Sequence, residues 1–161
     1  MLDIKDYLRL AYITADENSP DPSTKVGAIV VCNNYNVHYG WNHLTPGFND
    51  IDLSDRRLKY KVMEHAERDA IFKAANNGDT LNGAIMYCPW AACCDCARAI
   101  VLSGIKEVVC HANALTQTPF RWKEDIMLAS KIFSASGVKY TWWDGEIGDC
   151  QNLFDGKVWY P

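Results

Sequence analysis

Two short stretches far apart in the chain carry side chains whose chemistry is complete only when they meet: His65-Ala66-Glu67 and Cys93-Cys94-Asp95-Cys96. One imidazole and two thiols at i and i+3 offer three ligands to Zn²⁺. Two thiolates offset the charge of the dication, and three protein ligands leave the fourth tetrahedral position free for water. Any fold of this chain has to bring the two stretches to one point. Glu67 then stands as a free carboxylate beside that point, able to carry a proton between water and a substrate.

The surrounding pattern alternates between the two hydrophobic periods. Leu2 to about Glu17 predicts an amphipathic helix, with Leu8, Ala11, Tyr12 and Ala15 mostly on one stripe. Asn18 to Ser23, with two prolines, breaks it. Val26 to Cys32 predicts a buried strand, Asn33-Asn34 a turn, and Tyr35 to Tyr39 the returning strand of a hairpin. Residues 43–63 read as a long polar loop carrying Arg56, Arg57, Lys59 and Lys61, either a solvated face or a lid that brings positive charge to the site. His65 to Asn76, Cys93 to Ser103 and Trp122 to Ser136 predict three more helices. Ala84 to Cys88, Lys106 to Cys110 and Val138 to Trp143 predict strands between and after them, with a loop at 112–121. From Asp144 onward the tail has no assigned structure. Strands alternating with helices imply an α/β domain with helices on both sheet faces, a three-layer α/β/α arrangement over residues 1–161. In that arrangement Cys93 and Cys96 open a helix, where i and i+3 share a face and the dipole favours thiolates.

Composition narrows the partners. A formal net charge of −4 lacks the basic field that long nucleic acids require. No apolar run approaches a membrane span, and Met1 to Asp6 lacks a basic start followed by an apolar core, so a cytoplasmic protein is expected. Seven cysteines, an odd count, argue against a disulfide framework. Cys32, Cys88 and Cys110 sit in apolar runs as small buried hydrophobes, Cys94 should point away from the metal, and Cys150 reads as a free thiol. His38, His43 and His111 form no compact ligand cluster with the cysteines, so a second zinc is not expected.

The pattern H-x-E followed by C-x-x-C resembles the zinc-dependent nucleobase deaminases, with Ala92 where proline normally precedes the first cysteine. That proline presets a helix start and is no ligand, so thiolate spacing is untouched. Leu10 to Ala15, Ser19 to Ala28, Gly40-Trp41-Asn42, His65 to Ile71, Cys96 to Ile100 and Ser103-Gly104-Ile105 narrow the resemblance to the deoxycytidylate (dCMP) deaminases of phage and bacterial type. It implies a five-stranded mixed sheet between helices, hydrolysis of dCMP to dUMP and ammonia, hexameric assembly, activation by dCTP, and inhibition by dTTP with Mg²⁺. It also implies that Asn42 holds the sugar hydroxyl and base, Trp41 replacing the usual tyrosine beside it.

Within that expectation His65, Cys93 and Cys96 are the zinc ligands and Glu67 the proton carrier. The backbone N–H groups of Ala66 and Cys93, near helix starts, would orient the base. Trp90 is either a wall against the pyrimidine or ordinary core. For the phosphate, Thr24, Lys25 and the Arg56–Lys61 cluster rank first, ahead of Ser23, Arg121 and Lys123. Other substrates of the same chemistry are dCTP, cytidine, guanine and adenosine in tRNA. From a different class, a non-catalytic zinc protein that senses nucleotides would keep the metal without the reaction.

Overall fold

The computed structural model describes residues 2–161. Its first helix, α1 (Ile4–Asn18), opens on a reciprocal cap in which the Asp3 carboxylate accepts from Asp6 N–H and the Asp6 carboxylate accepts from Asp3 N–H. β1 (Gly27–Val31) and β2 (Val37–Trp41) follow as the expected hairpin, and a short ribbon pairs β3 (His43–Leu44) with β4 (Met63–Glu64) around α2 (Arg56–Val62). Then come α3 (Ala66–Asn76), β5 (Ile85–Tyr87), α4 (Cys94–Leu102), β6 (Glu107–His111), α5 (Ala112–Gln117), α6 (Lys123–Ser136), β7 (Lys139–Trp143), β8 (Asn152–Phe154) and β9 (Lys157–Trp159).

The main sheet has five strands in the order β2-β1-β5-β6-β7. β1 runs antiparallel to both its neighbours, while β5, β6 and β7 are parallel and joined through α4 and α6. Period-two alternation along the strands sorts the core into two layers. Ala28, Val30, Met86, Val108 and Cys110 face α3, α4 and α6, packing on Ala70, Ala74, Ala97, Ile100 and Phe133. Ile29, Tyr87 and Val109 face α1, packing on Leu8, Ala11 and Tyr12. Full burial of a side chain the size of Ile100 or Phe133 contributes about 1.5–3 kcal/mol. The sheet-facing side of α3 is alanine-rich, and β2 answers it with Gly40, where a Cβ would overlap the Ala66 carbonyl oxygen. That close approach sets the start of α3 against the sheet.

Three stretches depart from the sequence expectation. Residues 43–63 are not a structureless loop: they hold α2, capped by Asp55 accepting from Leu58 N–H at 3.2 Å, and the β3–β4 ribbon. α2 buries none of its residues, so it has no apolar stripe for periodicity to detect. The loop expected at 112–121 holds α5 and runs into a 3₁₀ turn at Phe120–Trp122, both too short for a helical period to register. The tail is a β8–β9 hairpin whose turn, Asp155-Gly156, has φ of 49° and 76°. Asp-Gly between strands is a strong hairpin signal, and only its short flanks masked it.

Candidate active site

His65 and Cys93 are the residues immediately before α3 and α4, each in extended backbone at a helix N-terminus. The two helices pack side by side, so their N-terminal ends converge. His65 Nδ1 lies 3.4 Å from Cys93 Sγ and 3.5 Å from Cys96 Sγ. Bond lengths usual for zinc, about 2.3 Å to sulfur and about 2.0 Å to nitrogen, give a tetrahedral N–S edge of about 3.5 Å. Both N–S edges therefore already match what Zn²⁺ needs, all three ligand atoms lie within 4.8 Å of one another, and the donor set fits the ion. Glu64 fixes the first corner: its carboxylate accepts from His65 N–H at 2.8 Å and is paired with the Arg68 guanidinium at 2.6 Å.

The Cys93 thiol is pulled down to about 4, foremost because the Cys96 thiol donates to it, with the His65 ring adding to the effect against the cost of burial. Cys96 is pushed well above its usual range by the same bond. A dication at this point would displace that proton and leave both as thiolates.

Glu67 is buried beside the cluster, and burial raises its carboxyl above the ordinary range, offset in part by the His65 ring. A cavity of about 130 Å³ opens next to it, lined by Val26, Asn42, Met63, His65, Ala66, Glu67, Trp90 and Cys93. A cavity of about 150 Å³ in another protein holds benzene. The space is thus the size of one aromatic ring, with any further part of a ligand lying toward the rim.

At the rim, Asp21 is almost wholly buried and its carboxylate takes the Lys59 ammonium at 2.6 Å. It also accepts from Ser23 N–H and Thr24 N–H, which folds the Asp21–Thr24 turn over the cavity. Asn42 Oδ1 accepts from Ser19 Oγ and from Val26 N–H, while its amide N–H₂ donates to the Thr24 carbonyl at 2.7 Å. Its side chain lines the cavity and binds this turn. Trp41 points elsewhere, under the Lys73 ammonium at 3.1 Å from its ring centre. Trp90 lines the cavity and stacks on Phe154 of the tail hairpin, ring centres 3.6 Å apart. Its Nε1–H is the one buried side-chain N or O without a partner among the described residues.

The residues singled out in the sequence divide. His65, Ala66, Glu67, Cys93, Asn42, Trp90, Thr24 and Lys59 come together around the cavity, with Cys96 completing the ligand set. Lys25 does not join them: its ammonium bonds the Asp16 carbonyl at 2.7 Å and pairs with that carboxylate. Arg56 and Arg121 meet on Asp155 instead, and Arg57 and Lys61 are exposed. The sequence missed Asp21, read as part of a breaker, and Phe154, in the unassigned tail. It also missed Asp69, buried in α3. That carboxylate accepts from Trp41 N–H at 3.0 Å and takes Lys73 at 2.6 Å and His43 Nε2 at 3.0 Å, tying the β2 end to the ligand-bearing helix.

The model of the cytidine and deoxycytidylate deaminase zinc-binding region matches residues 1–112. The chain belongs to this family. Deoxycytidylate deaminase of Enterobacteria phage T2 is 53% identical, with 63% of this chain and 76% of the relative covered. The mouse deoxycytidylate deaminase is 31% identical over 142 residues, covering 83% of this chain and 75% of that one. Among solved structures, the dCMP deaminase of cyanophage S-TIM5, crystallised with dCMP and dUMP, superposes with a TM-score of 0.65 at 23% identity, over 85% of this chain and 93% of the other. The family's H-x-E and C-x-x-C elements are the residues that converge here, and Ala92 in place of proline leaves the Cys93 cap intact. The chain is a zinc-binding deaminase with the three-layer fold of this family.

Proposed function

We propose that this deaminase converts dCMP to dUMP and ammonia. The observation that carries the chemistry is the buried Glu67 carboxyl in a ring-sized cavity beside three ligand atoms set at zinc spacing. The names of the phage T2 and mouse relatives support the substrate.

When bound, Zn²⁺ supplies Lewis acidity that brings hydroxide within reach near neutral pH. Glu67 takes a proton from the attacking water and gives it to N3 of cytosine as oxygen adds to C4. It then takes the remaining proton from the new C4 hydroxyl and passes it to the amino nitrogen, the C4–N bond breaks as the C4 carbonyl forms, and ammonia leaves a uracil ring. Val26, Met63 and Trp90 exclude bulk water from this exchange. Ala66 opens α3 and lines the cavity, and its backbone N–H orients the base. Asn42 braces the Asp21–Thr24 turn through the Thr24 carbonyl, and Thr24 meets the sugar from that turn.

The same proposal includes one deaminase domain over residues 1–161, a cytoplasmic setting, assembly into hexamers, activation by dCTP, and inhibition by dTTP with Mg²⁺, all following from the family resemblance. Among the described residues no helix is long and apolar enough to cross a membrane. Sedimentation and rates measured with each effector test assembly and regulation. The substrate test is the ultraviolet absorbance change of dCMP, dCTP and cytidine incubated separately with zinc-loaded protein. Turnover of dCMP alone is expected; turnover of only dCTP or cytidine keeps the chemistry and moves the substrate.

A further inference from the structure

A nucleoside monophosphate brings two negative charges to the rim, and the rim offers them little. Among the described residues that line the cavity, Lys59 is the one ammonium or guanidinium, and the buried Asp21 carboxylate holds it at 2.6 Å. Lys25 is spent on Asp16. Two further cations, Arg56 of α2 and Arg121 of the 3₁₀ turn, come from elements far apart in the chain. Both reach one carboxylate. Arg121 grips Asp155 with two nitrogens, at 2.7 Å and 3.4 Å, and Arg56 takes the same Oδ1 at 3.4 Å.

Asp155 is joined to the cavity on both sides. The preceding residue, Phe154, lines the cavity and stacks on Trp90. The Asp155 N–H donates at 3.1 Å to Thr24 Oγ1, itself on the cavity wall. The hairpin tip thus sets an aromatic ring beside an anion held by a forked guanidinium, the order in which a nucleotide sets its base and phosphate. Two guanidiniums around one oxyanion form a geometry suited to phosphate, where planar N–H forks bind tightly.

We infer that Arg56 and Arg121 are the phosphate-binding pair of this enzyme, and that Asp155 occupies them until the 5′-phosphate of the substrate takes its place. This rests on the reading of a monophosphate as substrate. Arrival of the phosphate frees Asp155, loosens the hairpin tip from Thr24, and leaves Thr24 Oγ1 open to the incoming oxygen.

The test compares dCMP with deoxycytidine, which has the same base and sugar without phosphate, on zinc-loaded full-length protein. Asp155→Asn removes the competing charge and keeps the turn, because asparagine before glycine suits the left-handed φ of 49° at this position. It is expected to lower the ratio of KM for dCMP to KM for deoxycytidine about threefold, the scale of an exposed ion pair. Arg121→Met is expected to raise that ratio about tenfold, through loss of a forked charge-assisted contact. Calorimetric titration with inorganic phosphate is expected to show tighter binding by Asp155→Asn and weaker binding by Arg121→Met. A ratio that stays fixed or rises in Asp155→Asn, or that Arg121→Met leaves unmoved, overturns the inference. If wild-type protein turns over no dCMP, the substrate reading has failed on its own, and the phosphate titrations still decide the arginine pair: equal binding by all three proteins overturns it.

Discussion

Phe154 lies flat on Trp90, ring centres 3.6 Å apart and planes inclined by 13°, and so closes one wall of the cavity beside Glu67 with a residue from the far end of the chain. Aromatic stacking of this kind is worth about 0.5–1.5 kcal/mol beyond area burial. Phe154→Ala is therefore expected to lower stability by about 1–3 kcal/mol and to cut kcat/KM for dCMP by roughly tenfold as the wall opens to water. Urea denaturation and steady-state rates check both. An enzyme of unchanged kcat/KM would show that the hairpin packs on the site without shaping it.

Glu67→Gln keeps the size of the side chain and removes its capacity to carry a proton. The expected loss in kcat is about 10²–10⁴-fold, with zinc content unchanged. Metal analysis alongside the rate separates this outcome from a damaged metal site. A variant that keeps its rate would move the proton transfers to another group.

Zinc bound by the folded state alone adds to its stability in proportion to the logarithm of free metal. Chelation is expected to abolish activity and lower the thermal midpoint, and zinc is expected to restore both. Cys93→Ser should lose its zinc on dialysis against a chelator that leaves the wild type loaded, because an alcohol replaces a thiolate. A thermal midpoint indifferent to zinc contradicts the assignment of His65, Cys93 and Cys96.

At Gly40 a Cβ would meet the Ala66 carbonyl oxygen and the Ala70 backbone nitrogen. Backbone atoms cannot swing aside as a side chain can. Gly40→Ala is expected to cost about 3 kcal/mol and to displace the α3 start that carries His65, so zinc affinity should fall with stability. Circular dichroism melting and zinc titration report the two effects.

His111 is fully buried, its Nε2 bonded to the Gly145 carbonyl at 2.8 Å and its Nδ1 to the Tyr12 hydroxyl at 2.8 Å. Desolvation pushes its pKa below the ordinary 6.5. Across the interval between the folded and unfolded values the unfolded chain binds more protons, so stability rises with pH there. This contribution is complete above about 6.5, the unfolded value, and is lost as pH falls through the interval. Urea midpoints at pH 7.5 and 5.5 should fall further apart in wild type than in His111→Gln. Equal differences would assign the acid sensitivity to other groups.

How much was legible follows from the physics of each element. The five sheet strands and the helices carrying the core announce themselves, because burial on one face imposes a period of 2 or 3.6 on the sequence. The cluster of His65, Cys93 and Cys96 is legible because few side chains bind zinc and two of these share a helical face. α2, α5 and the tail hairpin escape: short elements with little burial leave no period behind. Lys25 misled, since its place beside the Pro-rich turn gave no sign that Asp16 of α1 would claim its charge.

The layered α/β core, the His65, Cys93 and Cys96 set proposed to hold zinc and the Glu67 carboxylate beside it are written in local spacing and residue type. Which charges are free, which are paired and which elements roof the cavity was decided by the tertiary structure alone. Asp21 meets Lys59, Asp155 meets Arg56 and Arg121, and Phe154 meets Trp90 across separations of 38, 99, 34 and 64 residues. Such pairings depend on where packed layers bring chain ends together, and no local period encodes that.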